Sequence, residues 1–358
     1  MNQTLFIRLL HYENKEKVLA DKISSLREGH QDKDIYTVSP NSFCNVPNTP
    51  FCYWVSDRIR RLFTELSPFE SNGRTAQQGA STKDDFRFLR AWWEVPARRI
   101  LDAANGPDRH DDLTYFKEWC KNRTFQGKRW VMFAKGGGYK PFYADVHLVV
   151  NWEKDANELE MFLLKRYPYL GHSANWVLHR ESYYFLPGLT WTKRAGRFNP
   201  WPLPAGCIFS ERAYTAFVPD SEILSTYSIL NSKVWDFLFR TMLGRFGHPE
   251  FLVGISKKLP WPLKLPFKID IASKALKSVM ESLSSKEHTL LFRCLSLQNN
   301  HDTISVLDLY QDFDRIGYEA YGVENVDEVI IEEVYAERFM EEQIYEDKIK
   351  GVDNDLLN

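Results

Sequence analysis

From Ser39 to Pro266 the chain sets short apolar runs between prolines, glycines and aromatic residues, and it never settles into the alternation of strand and long helix that a parallel sheet needs. That texture limits the fold more than any single motif. Short strands must be joined by turns, with large rings filling the space between them. Trp130-Val131-Met132-Phe133, His147-Leu148-Val149-Val150 and Tyr183-Tyr184-Phe185 read as strands; Gly136-Gly137-Gly138 and Pro187-Gly188 read as turns. Aromatic residues make up 15% of the 358, an apolar content that disordered chains lack, so most of the sequence should pack a core. Trp92, Trp93 and Trp152 are expected within it.

The flanks have a different character. Thr4–Tyr12 reads as a buried strand, Asn14–Arg27 as a helix with Val18, Leu19, Ile23 and Leu26 on one face, and Asp34–Val38 as a second strand. Pro219-Asp220-Ser221 is a helix start. The apolar steps from Ile223 to Met242 then predict one long helix that stops near Gly244–Gly247. Leu259-Pro260-Trp261-Pro262 is an extended exit. Beyond Phe267 the pattern is helical over 272–284, 305–316 and 327–349, with Gly317 as the stop of the second helix. At roughly 100–200 residues per domain, the length suggests two domains. The expected organisation is α+β: residues 1–38 as a lead-in, 39–266 as a mixed-sheet domain, and 267–358 as a helical C-terminal region with an acidic tail.

Charge is divided along the chain. Residues 301–358 hold 17 acidic and 4 basic side chains; the remaining 31 acidic and 42 basic side chains leave residues 1–300 at +11. A basic body suits either a polyanionic partner, whose condensed counterions it would release, or a solvated surface with no partner. The five cysteines are scattered and none forms a CxxC pair. That argues against a disulfide framework and a cysteine-rich zinc site, and it fits a reducing cytoplasm. No apolar run reaches 18 residues, and the start shows no secretory signal, so neither a membrane-spanning helix nor export is expected.

Several chemistries have no sequence support. No GxGxxG, GxxxxGK[ST], HExxH or GxSxG occurs. Glu13-Asn14-Lys15 lacks a preceding acidic partner and reads as surface. Asn199-Pro200-Trp201-Pro202 approaches the Asn-Pro-Pro-aromatic tetrapeptide that holds the exocyclic amine of a flipped base, but its aromatic and its second proline are exchanged. No glycine-rich loop for an adenosyl cofactor precedes it.

Five segments in order carry a resemblance: Phe51–Arg60, Gln78–Arg90, Trp130–Lys140 with Val149–Trp152, Glu181–Phe185 with Gly188–Trp191, and Leu230–Val234. Together they resemble the PglX adenine-specific DNA methyltransferases of the BREX phage-defence system and the related type IIG restriction-modification enzymes, from about residue 5 to residue 335. The similar region lies after the catalytic domain of those enzymes, in their target recognition domain and helical spacer. The resemblance therefore implies that this chain starts at the last strand of a methyltransferase domain and reads duplex DNA. It implies no cofactor in this chain and S-adenosylmethionine in a partner subunit or a missing N-terminal catalytic domain, with other defence-complex proteins as further partners. The competing readings are a truncated methyltransferase with residual activity and a non-catalytic protein-interaction subunit. In the second segment Ala80 and Lys83 stand where the family has leucine and glycine, which puts the loop's backbone in question.

A DNA reader needs phosphate clamps and base-edge readers. Lys135, Gly136, Gly137, Gly138 and Lys140 fit a clamp, or else a simple hairpin turn. Lys193, Arg194 and Arg197 form the densest cationic loop, placed between Trp191 and Phe198; they suit guanine edges and phosphates, or else water. Arg87 and Arg90 either join the DNA surface or pair with Asp84 and Asp85. Lys128 and Arg129, with Lys121 and Arg123, form a second basic cluster. Asn231 and Lys233 lie on the predicted long helix, whose polar side faces DNA or water.

Overall fold

The structure, a computed structural model, describes residues 3–9, 12–108, 112–137, 140, 142–180, 183–244, 249–265, 269–283, 306–333 and 335. Asn14 starts the first helix, α1 (Lys15–Arg27), by accepting a hydrogen bond from the Lys17 amide at 3.0 Å. The helix connects β1 (Thr4–Ile7) to β2 (Ile35–Val38), which pair antiparallel from Thr4↔Val38 to Ile7↔Ile35. β1 is shorter than the pattern suggests and is not buried: Thr4 and Leu5 are exposed, because two strands have only α1 and part of the main body to cover them. Ser56 caps α2 (Asp57–Glu65) through the Ile59 amide at 3.2 Å.

Two four-stranded sheets form the middle of the chain. In the first, β3 (Thr75–Gln77), β10 (Ala213–Phe217), β7 (Gly188–Thr192) and β8 (Trp201–Leu203) lie side by side, all antiparallel. In the second, β4 (Leu89–Ala91), β6 (Leu148–Asn151) and β5 (Trp130–Ala134) are antiparallel, and β9 (Ile208–Phe209) joins β5 in parallel. Only residues 210–212 separate β9 from β10, so one short turn carries the chain from sheet to sheet. The expected strand at Tyr183–Phe185 is instead a turn. Phe185 has φ +68, outside the extended region, and the buried Tyr184 hydroxyl donates to the Leu178 carbonyl at 2.6 Å.

The helices cover the sheets. α3 (Leu113–Phe125) and α4 (Glu153–Arg166) bury Phe116, Cys120, Leu159 and Leu163 against Val131 and Val150 of the second sheet. The first turn of α4 is left-handed at Lys154, Asp155 and Ala156. The long helix predicted from Ile223 onward is in fact two, α5 (Ile223–Leu230) and α6 (Lys233–Leu243). Ser232 breaks it: its backbone is extended, its hydroxyl donates to Ile229 O at 2.7 Å, and the same oxygen accepts from the Trp235 amide at 3.4 Å. Asn231 and Ser232 are fully buried rather than on a polar face. α6 ends at Gly244 in the left-handed conformation.

α7 (Ile269–Leu283) and α8 (Val306–Tyr321) pack on α5 and α6, and residues 325–333 are helical. Gly317 does not stop α8. The helix continues to Tyr321, and the missing side chain lets it approach Ser232, where a Cβ would stand 2.6 Å from the serine Cβ. One core cluster joins Phe43, Trp191, Trp235, Phe313 and Tyr335, so the composition change near residue 266 is not a break in packing. A second cluster fills the space around the second sheet. Trp152 is fully buried as expected, whereas Trp93 is half exposed. The fold is α+β.

Candidate nucleic-acid interface

Four backbone segments meet where the two sheets adjoin. The Ser210 amide donates to Ala134 O at 2.9 Å, and the Ser210 hydroxyl donates to Lys135 O at 3.1 Å. The Lys193 amide donates to Arg212 O at 2.9 Å. The Ala80 amide donates to Phe209 O at 2.9 Å, and Glu211 N donates to Ala80 O at 3.1 Å. Two glycines make these approaches possible. A Cβ on Gly79 would lie 1.9 Å from the Phe209 carbonyl oxygen, and one on Gly136, at φ +81, would lie 2.6 Å from that of Arg212. Lys83 takes φ +55, a left-handed position that a residue with a side chain seldom adopts.

This junction carries a cleft of about 570 Å³. Lys135, Lys193, Arg194 and Arg212 line it, with Gln78, Tyr214 and Glu211 between them and Gly136 and Gly137 on one wall. Smaller clefts continue on both sides of Lys135, one towards Lys83 and Asp85 and the other towards Lys140, Asp145 and His147. Lys135 follows β5, Lys193 and Arg194 follow β7, and Arg212 lies in the turn between β9 and β10, so the backbone of each is fixed by the sheets.

The cleft's cations are mostly paired at its rim. Lys135 meets Asp85, and Lys83 meets Glu211 at 3.3 Å. Arg194 Nε donates to Glu250 at 2.6 Å, and Lys193 lies 3.5 Å from the same carboxylate. The Arg194 hydrogen bond, with Lys193 beside it, holds the Glu250 carboxyl below its ordinary range. Arg212 makes no ion pair among the described residues and is exposed. Exposed ion pairs of this kind are weak and exchange readily for another anion.

The sequence singled out Lys135, Gly136 and Gly137 in one segment and Lys193 and Arg194 in another, and the structure brings both segments to one cleft. Lys140 borders the neighbouring one, while Gly138 lies outside the described residues. The other candidates are engaged elsewhere. Arg197 points inward, donating to Asn231 O at 2.8 Å and Asp314 Oδ1 at 3.0 Å, with its guanidinium 4.0 Å from the Tyr310 ring centre. Arg87 pairs with Glu158 at 3.0 Å rather than with Asp84 or Asp85, and Arg129 reaches the same glutamate at 3.2 Å. Burial works against the Glu158 charge, but hydrogen bonds from Arg87 and Asn151 and the nearby Arg129 keep its carboxyl below the usual range. Arg90 donates to the Phe86 and Leu89 carbonyls at 2.6 and 2.5 Å, and Lys128 donates to Arg98 O at 3.0 Å. Lys233 is tied to Asp314 and Glu332. Asn199 is buried and donates to Lys140 O at 3.0 Å, as part of the wall.

Gln78, Arg212 and Tyr214 were not among the sequence candidates. Arg212 is an isolated cation in sequence, and only the turn between β9 and β10 delivers it to the cleft. Among the described residues no helix is long and apolar enough to cross a membrane, and no group of three His, Cys, Asp or Glu residues could hold a metal.

Fold and cleft thus define an α+β protein with a cationic groove at a sheet junction. The chain is homologous to the PglX and BrxX adenine-specific methyltransferases of BREX systems. It is 22% identical over 303 residues to adenine-specific methyltransferase PglX of Lacticaseibacillus casei (strain Zhang), covering 82% of this chain and 23% of that protein. It is 24% identical over 280 residues to adenine-specific methyltransferase BrxX of Escherichia coli O9:H4 (strain HS), covering 76% of this chain and 19% of that one. The chain therefore spans about a fifth of the length of these curated relatives. Among solved structures, the type IIL restriction-modification enzyme MmeI, in complex with DNA, aligns over 76% of this chain and 36% of its own, with a TM-score of 0.41 and 15% identity. No family model matches the chain.

Proposed function

We propose that this chain is the duplex-reading part of an adenine-specific DNA methyltransferase of a phage-defence system, working in the cytoplasm beside a catalytic domain that supplies methyl transfer. The observation that carries the reading is the convergence of Lys135, Lys193, Arg194 and Arg212 on one cleft. Lys135, Lys193 and the Gly136–Gly137 backbone clamp phosphates. Arg194, Arg212 and Gln78 have the donor geometry to read base edges in a major groove.

The cleft does not fit the methyl donor itself. S-adenosylmethionine carries a sulfonium and an ammonium against one carboxylate, and a lining of four basic side chains whose rim carboxylates Asp85 and Glu250 are already paired leaves only Glu211 to meet that positive charge. No transfer step is assigned to these residues, and calorimetry with the isolated chain should detect no S-adenosylmethionine binding.

The test is a salt titration of duplex affinity. Two phosphate-facing lysines predict a log–log slope of about −2, and Lys135→Ala should weaken all sequences alike and flatten the slope by about one. Arg212→Ala should reduce discrimination between sequences. Absence of duplex binding, both alone and with the catalytic partner, would overturn the reading. It would leave the protein-interaction subunit, which the exposed Phe86, Tyr169 and Trp176 favour.

A further inference from the structure

Beneath the cationic loop lies a buried ionic scaffold contributed by helices far away in sequence. Gly196 O accepts from Arg240 at 2.7 Å, and Arg240 Nε donates to Asp236 Oδ2 at 2.7 Å. Asp236 Oδ1 accepts from the Phe198 amide at 3.0 Å, and the Tyr335 hydroxyl donates to Oδ2. Asp236 and Arg240 are fully buried. On the neighbouring residue, Asp314 of α8 accepts from Arg197 at 3.0 Å and from the Lys233 amide at 2.7 Å, and Tyr310 of the same helix lies under the Arg197 guanidinium. Gly196, Arg197 and Phe198 are thus each held by α6 or by the helices after residue 305.

We propose that Asp314 is a positioning residue: through Arg197 it fixes the loop that presents Lys193 and Arg194 to the cleft, so the C-terminal helices set the geometry of the DNA-reading surface. The inference rests on the function proposed above. Its physical basis is that a buried ion pair is a poor source of stability compared with apolar packing but holds one geometry sharply once its hydrogen bonds are satisfied. Lys193, Arg194 and Arg197 also repel one another, and the carboxylate below draws one of them inward. Lys135 lies on a different segment and is outside this control.

The test uses Asp314→Asn in the full chain, with Arg197→Gln as the reciprocal variant should the first fold poorly. Hydrogen exchange followed by mass spectrometry reads the loop, and duplex titration reads its consequence. Expected are faster exchange in peptides covering 193–198 with no change at 130–137, about tenfold weaker duplex binding, and a salt slope flatter by about one contact, while the loss caused by Lys135→Ala stays the same. A merely structural role would lower the melting temperature and leave these readouts at wild-type values in the folded fraction. Unchanged loop exchange overturns the proposal whether or not DNA binds, and so does faster exchange with wild-type affinity. A wild-type chain that binds no duplex rejects the DNA-reading function instead, and the exchange result still decides the positioning role.

Discussion

Glu250 shows how one residue can temper the cleft. Its carboxylate occupies Arg194 and Lys193, two of the groups that would otherwise face DNA. Glu250→Gln should raise duplex affinity by roughly fivefold, on the ~1 kcal/mol scale of an exposed pair, which filter binding at fixed salt would measure. The same change should slightly lower stability at neutral pH. Because the folded carboxyl titrates below its ordinary value of 4.5, the stabilising contribution is complete above that value and fades as pH falls through the lowered one. Melting curves of variant and wild type should therefore converge in acid. Gly79 is the opposite case, a residue with no tolerance. Gly79→Ala places a methyl 1.9 Å from the Phe209 carbonyl oxygen, backbone that cannot swing aside, and should cost more than about 2 kcal/mol in denaturant unfolding.

Among elements, the contact between α6 and α8 is set by a serine and a glycine. In an exposed helix, alanine in place of glycine gains about 1 kcal/mol. At Gly317 the added Cβ meets Ser232 at 2.6 Å, so Gly317→Ala should lower stability by about 1–3 kcal/mol, visible in the melting temperature. This junction also shows where sequence reading stopped. The apolar steps from Ile223 to Met242 run unbroken through Asn231 and Ser232, so periodicity could not reveal that the helix restarts there. Gly317 looked like a stop because glycine's backbone freedom is legible in sequence and its use in close packing is not. By contrast β5, β6 and α1 were legible, since each has a local pattern and a local cap or turn. The cleft was half legible: Lys135, Lys193 and Arg194 lie in dense cationic segments, whereas Arg212 gains meaning only from a crossing between sheets. Arg197 was indistinguishable from Arg194 because inward and outward neighbours in an irregular loop follow no period.

At the scale of the whole molecule, the core cluster that holds Phe43 and Trp235 also holds Phe313 and Tyr335. The mixed-sheet region and the C-terminal helices should therefore unfold as one cooperative unit. A fragment of residues 1–266 should lose near-ultraviolet dichroism and bind a hydrophobic dye, having exposed Trp235 and its neighbours; a fragment with a sharp melting transition would contradict this. The acidic region from 301 contributes carboxylates at defined places in that unit, Asp314 and Glu332, as well as bulk charge. The interlocked backbone at the sheet junction has an evolutionary corollary. Gln78, Arg194 and Arg212 project from a junction that the Ala80, Lys193, Ser210 and Glu211 amides tie together through backbone carbonyls, so their side chains can change while the scaffold stays put. A lineage could rewrite what such a groove prefers through a few codons at the rim, and selection against unfolding would register almost none of it.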